Sequence, residues 1–262
     1  MVTAAGGSPG TEPANAWSLS HPYGWRARLG LIVPPTNTVN EAEWRIMAPE
    51  GVTIHSARMP LHTETDSDAG KAVLYDDLRR ATADLAQAGV DVVAYGCTAG
   101  SMVLPLSGLT DFMTSVAGVP AVATAAALVG ALRALGVRRI ALATPYHDPL
   151  TDHERDFFAR CQIDTVTARG LGFGANGPED YRNIARLPAA VAYRLAKSVD
   201  RPAAAAIVIS CTDFATLRVI PVLESELGKP VISSNQATFW AALRAAGVSD
   251  RPESFGRLLR EH

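Results

Sequence analysis

The stretch AAAAIVISCTDFATL, residues 203–217, decides how this chain is read. Residues 204–210 form an unbroken apolar run, as expected of a strand buried on both faces of a parallel sheet. The run breaks at Cys211-Thr212, where such a strand meets the loop leading to the next helix. A near-copy stands earlier: VDVVAYGCTAGS, residues 90–101, places Cys97-Thr98 at the same point. The expectation is that these two strand ends face each other across one small-molecule site.

Outward from the two cysteines, the match extends to whole blocks. LIVPPTN (31–37) resembles ALATPYH (141–147), and VPAVATAAALVGALRALGV (119–137) resembles KPVISSNQATFWAALRAAGV (229–248). The offsets from Pro35 to Pro145, Cys97 to Cys211 and Pro120 to Pro230 are 110, 114 and 110 residues. Order and spacing are kept, and a period this long indicates a duplicated lobe, not a solenoid. The predicted fold is α/β: two similar Rossmann-like lobes with parallel four-stranded sheets, related by a pseudo-two-fold, the active site in the cleft between them. Open α/β sheets bind ligands at the carboxyl ends of their strands.

The predicted boundaries are a flexible arm over 1–25, a first lobe over 26–123 completed by a C-terminal helix 235–262, and a second lobe over 124–234. Helices are expected over 39–47, 71–88, 148–158, 187–198, 214–227 and 236–246, with the first strand starting at Arg28. The polar loop PLHTETDSDAG (60–70) is a candidate lid.

Bulk properties remove several classes. The chain has 262 residues, a net charge of -2 and scattered basic residues. That leaves no electrostatic footprint for nucleic acid or an anionic membrane, and suits a small metabolite. Its three cysteines, Cys97, Cys161 and Cys211, are too few and too far apart for a disulfide framework or structural zinc. No segment has signal-peptide or transmembrane character, so a cytoplasmic location and no membrane partner are expected. A homodimer is the default assembly.

A single cysteine ending a buried strand is most often a small apolar filler. Two at duplicated positions, each beside free backbone N–H groups that favour a thiolate or an anion, read instead as a catalytic pair. Cys161 has no counterpart and reads as structural. Asn37 and Tyr146 follow the first strand of each lobe and are candidate substrate-binding residues, with Thr98 and Thr212. Asn235, at the end of another strand, and Asn176 or Asn183, in or after the glycine-rich loop, are further candidates. GFGANG (172–177) matches a dinucleotide fingerprint in letters only, since Pro178 follows where a helix should receive pyrophosphate, so no cofactor is expected. His147, Asp148, Asp152 and His153 read as a capped, solvated helix start with Asp148 as the cap, and no metal is expected.

Taken together, VPPTNTVNEAE, YGCTAGS, TPY, ISCTDFATL and VISSNQATFWAALRAAG resemble the maleate isomerases of the aspartate/glutamate racemase superfamily, with arylmalonate decarboxylases as close kin. The resemblance runs from about Arg28 to the end. It implies no cofactor and no metal, a nucleophile at Cys97, a proton donor and acceptor at Cys211, and a small carboxylate substrate held by Asn37 and Tyr146. Arylmalonate decarboxylases share GVRRIALATPY and RPESFGRLL but have glycine in place of the first cysteine. Two-cysteine hydantoin racemases remain an alternative, as does a small-acid binding module without activity. Pro35-Thr36 departs from the usual pair of serines, and Asp213-Phe214 puts an acidic and an aromatic residue beside the second cysteine.

Overall fold

A computed structural model describes residues 21–62 and 67–262. In the first lobe, β1 (Ala27–Val33), β2 (Val52–Arg58), β3 (Val92–Tyr95) and β4 (Ala121–Ala123) form a parallel sheet in the order β2-β1-β3-β4. In the second, β5 (Arg139–Ala143), β6 (Asp164–Arg169), β7 (Ala206–Ile209) and β8 (Val231–Ser233) repeat the order as β6-β5-β7-β8. Identical strand order in both sheets is the structural form of the duplication read from the sequence. Both central strands, β3 and β7, are buried along their whole length, which their continuous apolar sequences require.

Helices cover both faces of each sheet. The outer face of the first packs on α2 (Asp68–Gln87) and α3 (Gly108–Ala117), through Leu74, Leu78 and Met113. That of the second packs on α6 (Ala189–Val199) and α7 (Ile220–Leu227), through Leu195 and Leu223. The inner faces share one continuous core built around α1 (Asn40–Met47), α4 (Thr124–Ala134), α5 (Asp148–Arg160) and α8 (Ser234–Ala245). Although α8 follows the last strand of the second sheet, it packs on β3 and β4 of the first. Its neighbour α4, which leaves the first sheet, lies against α8 and touches β8.

Several elements differ from expectation. The helix expected from residue 214 begins only at Ile220, because Pro221 has no N–H for the carbonyl at 217 and fits only a first turn, while Glu43 binds the backbone N–H groups of Thr216 and Leu217 in the loop before it. Ser233 caps α8 by accepting from Gln236 N at 3.3 Å, so Ser234 and Asn235 belong to the helix and not to the strand end. Residues 235–262 form no single helix: Gly247 takes a left-handed φ of 75°, and a short turn precedes α9 (Arg257–Glu261). His147, not Asp148, is the N-cap residue of α5. Residues 178–186, after the glycine-rich loop, form 3-10 turns. Of the arm expected over 1–25, residues 1–20 lie outside the described residues, as do residues 63–66 of the candidate lid.

Candidate active site

Four strands deliver the site with their carboxyl ends. β1 and β5 lead into the loops of Asn37 and Tyr146, and β3 and β7 into the turns of Cys97 and Cys211. Both thiols are free and buried. Cys97 Sγ accepts from Gly100 N at 3.4 Å, and Cys211 Sγ accepts from Asp213 N at 3.4 Å. Gly100 has a steric reason to be glycine, since a Cβ there would run into the Tyr95 hydroxyl behind Cys97.

The two turns are not equivalent in strain. Cys211 has φ 90°, a region that residues with a side chain rarely adopt and that costs of order 1–3 kcal/mol. A hydrogen bond from its N–H to Ser234 Oγ, at 3.1 Å, holds it there. Ser234 also accepts from Thr98 Oγ1 at 2.9 Å, so one hydroxyl on α8 ties down both cysteine turns.

Electrostatics separates the thiols further. Burial pushes Cys97 up, opposed by the Gly100 N–H and the Tyr95 hydroxyl, with the Asp213 charge a smaller upward influence. Burial also pushes Cys211 up, and there the Asp213 charge is the second cause, opposed by the Tyr146 hydroxyl. Asp213 itself is raised to about 7 by burial, although Thr38 N donates to it at 3.0 Å and Arg58 favours its ionised form. Behind the second turn, Glu154 is fully buried; burial pushes its carboxyl up to about 7, opposed by the Ser210 hydroxyl.

Cys97 and Cys211 line the same cavity, of about 410 Å³. Asn37, Tyr146, Thr98 and Thr212 line it with them. The polar atoms of three of these are already engaged across the lobes: Asn37 Nδ2 donates to Thr212 Oγ1 at 3.0 Å, Thr212 Oγ1 donates to Gly96 O at 3.0 Å, and Thr98 is tied to Ser234. They shape the cleft as much as they line it. Asn176, Asn183 and Asn235 are not brought to the cavity wall. Asn176 is exposed, Asn183 donates to Asp180 at 3.2 Å, and Asn235 is buried with its Nδ2 on Glu43 at 2.7 Å.

Other lining residues were not singled out as ligand contacts by the sequence. His62 approaches from the loop after β2, His147 and His153 from the cap and second turn of α5, and Tyr181 stands edge-on to Tyr146 with ring centroids 6.4 Å apart. The glycine-rich loop contributes Gly174 and Gly177 to the wall, stitched to the Tyr146 loop by His147 N donating to Phe173 O at 2.9 Å. Among the described residues no group of three or more His, Cys, Asp or Glu is arranged to hold a metal ion, and no helix is long and apolar enough to cross a membrane.

Residues 29–259 match the family model described as arylmalonate decarboxylase. The chain belongs to the arylmalonate decarboxylase family. Within reach of that family, the chain is 33% identical to the arylmalonate decarboxylase of Bordetella bronchiseptica, over 89% of this chain and 96% of the relative. It is 28% identical to a maleate isomerase of Geobacillus stearothermophilus, over 88% and 96% of the two chains. In three dimensions it matches the maleate isomerase Iso of Pseudomonas putida S16, a C-to-A mutant with maleate, at a TM-score of 0.78 and 29% identity, over 89% of this chain and 97% of that one. It also matches a cysteine-to-serine mutant of the Nocardia farcinica maleate cis-trans isomerase carrying a covalently bound succinylcysteine intermediate, at a TM-score of 0.75 and 26% identity, over 90% and 99%. The isomerases among these relatives of the arylmalonate decarboxylase family support an isomerase.

Proposed function

We propose that the protein is a cofactor-independent cis-trans isomerase of a small cis-enedioate, the maleate-to-fumarate type of reaction, run by two facing thiols. One observation carries this reading: Cys97 and Cys211, brought from duplicated strand ends, line a single cavity. In the reactive form the pair holds one proton, with Cys97 as thiolate and Cys211 as thiol. Their surroundings set that order, since hydrogen-bond donors ease the charge on Cys97 while Asp213 opposes it most at Cys211.

Cys97 Sγ forms a bond to one alkene carbon, the π pair moves to the neighbouring carbon, and the Cys211 proton passes to that carbon. A single bond now joins the two carbons and rotates. Cys211, now the thiolate, takes the proton back, the Cys97–carbon bond breaks, and the double bond re-forms trans. Both sulfurs return to their starting state, so electrons and protons balance. The succinylcysteine intermediate bound in the Nocardia neighbour supports such a saturated adduct.

Cys97→Ala and Cys211→Ala are each expected to lower maleate-to-fumarate turnover by at least ~100-fold, the scale of losing a nucleophile or a positioned proton donor. Wild-type turnover in either variant overturns the mechanism. A two-cysteine racemase or an arylmalonate-type decarboxylase is told apart in deuterated water, where a racemase washes deuterium into the α-carbon of a saturated substrate and a decarboxylase delivers it only to a product that has lost carbon dioxide.

A further inference from the structure

The duplicated turns agree at their first two residues and part at the third: Cys97-Thr98-Ala99 stands in one lobe, Cys211-Thr212-Asp213 in the other. Both third residues line the cavity. One end of the cleft therefore presents a methyl group and the other a carboxyl. A symmetric diacid offers the same anionic group to both ends, which this wall does not match. We propose that Asp213 selects an unsymmetrical substrate, a cis-enedioic mono-amide or a related cis-alkene with one carboxylate and one neutral N–H donor, its donor end lying at the Cys211 turn. This deepens the isomerase reading above and rests on it.

Three observations support the assignment. Asp213 is buried and is favoured by Thr38 N, at 3.0 Å, and by Val39 N, and a carboxylate accepts more bonds than these two, leaving capacity for a ligand N–H. No lysine or arginine stands among the described residues lining the cavity, so the wall has no fixed cation to offset a substrate carboxylate placed against Asp213. Arg58 acts on Asp213 as a favourable charge, and the imidazoles in the wall are His62, His147 and His153. The negative charge of Asp213 also reaches both sulfurs, so it lies at the reacting end of the cleft. Like charges brought together in a desolvated cleft are strongly disfavoured, whereas an amide N–H turns the same carboxylate into a partner. The chemistry is unchanged, because an amide carbonyl accepts the π pair during thiolate addition as a carboxyl does. Every bond made and broken is the same.

The test compares maleate with maleamate, its mono-amide, by kcat/KM above the pH at which Asp213 ionises. Binding of the saturated analogues succinate and succinamate, by calorimetry, is measured beside it. Wild-type protein is expected to favour the mono-amide by about 100-fold, the upper end of what leaving one buried polar group unpaired by the wrong ligand costs. Asp213→Asn keeps an oxygen for Thr38 N and is expected to shift the preference toward the diacid by at least tenfold, as is Asp213→Ser. In the wild type the preference narrows at low pH, where Asp213 carries a proton. An equal or greater wild-type preference for the diacid overturns the proposal, as does a preference unmoved in folded Asp213→Asn and Asp213→Ser. If neither alkene is isomerised, the isomerase reading fails. The succinate and succinamate affinities then still decide whether Asp213 selects a donor, a reversed or absent preference rejecting it.

Discussion

Glu43 joins the lobes, and removing it gives a sharp test of how the Cys211 loop is held. From α1 of the first lobe its Oε1 accepts Thr216 N at 2.7 Å and Leu217 N at 2.8 Å, and its Oε2 accepts Asn235 Nδ2 at 2.7 Å. Among the described residues no cation pairs with it, and burial raises its pKa against those donors. Glu43→Ala leaves these three buried donors, and the Thr216 hydroxyl at 3.5 Å, without that acceptor. Each such orphan costs about 1–3 kcal/mol, and partial relaxation of the loop brings the expected loss to roughly 3–5 kcal/mol. Glu43→Gln behaves differently. Its remaining oxygen can keep the two backbone donors, while its new NH₂ meets Asn235, whose Oδ1 is buried without a partner. Rotation of the Asn235 amide presents that oxygen and restores the bond. The neutral side chain also avoids the burial of a charge, so Glu43→Gln is expected within about 1 kcal/mol of wild type. Urea unfolding with an unchanged m-value measures both variants. If Glu43→Ala proves as stable as Glu43→Gln, the carboxylate does not hold the loop and the reasoning is wrong.

Glu154 gives a pH-dependent counterpart. Folded Glu154 keeps its proton up to about pH 7 and an unfolded glutamate only to about 4.5, so stability falls as pH rises between these values and levels off above. The loss is about 3 kcal/mol, and Glu154→Gln should remove that part of the slope in urea titrations at several pH values. A slope identical to wild type would show that burial does not control this group. At Cys211 the strained φ predicts an inverted order of stabilities: Cys211→Gly, though it loses more side chain, should unfold at a higher urea concentration than Cys211→Ala, by about 1 kcal/mol. The opposite order would mean that the turn relaxes when the thiol is gone.

The parts of this fold that were legible in the sequence are those fixed by local pattern. Continuous apolar runs marked the buried strands β3 and β7, and the repeat of Cys-Thr after each marked their carboxyl ends. The onset of α7 was misread from the apolar pattern that begins at Phe214, although Pro221, which lacks the N–H a helix interior needs, confines it to a first turn. Asn235 shows a different difficulty at the site. An asparagine after a strand reads equally well as a ligand donor or as a buried structural amide, and only the position of Glu43 decides that its NH₂ is spent on the lobe interface. His147 and His153 were visible together at the start of α5, but their meeting in one wall with His62, from the loop after β2, has no sequence signal. Asp213 was visible as an oddity beside the thiol. That it touches the loop of the other lobe through Thr38 was not.

The crossing of α8 onto the first sheet has a consequence for how such a molecule can be divided. A break in the chain between α4 and β5 would leave a first half ending in a helix, whose β3 and β4 lack the cover made by residues 234–245. A half-length polypeptide of this pattern could be whole only in company, two copies lending each other a terminal helix. The present chain reads as such a partnership written into one molecule, with each copy free to alter its own turn, as Ala99 and Asp213 now differ.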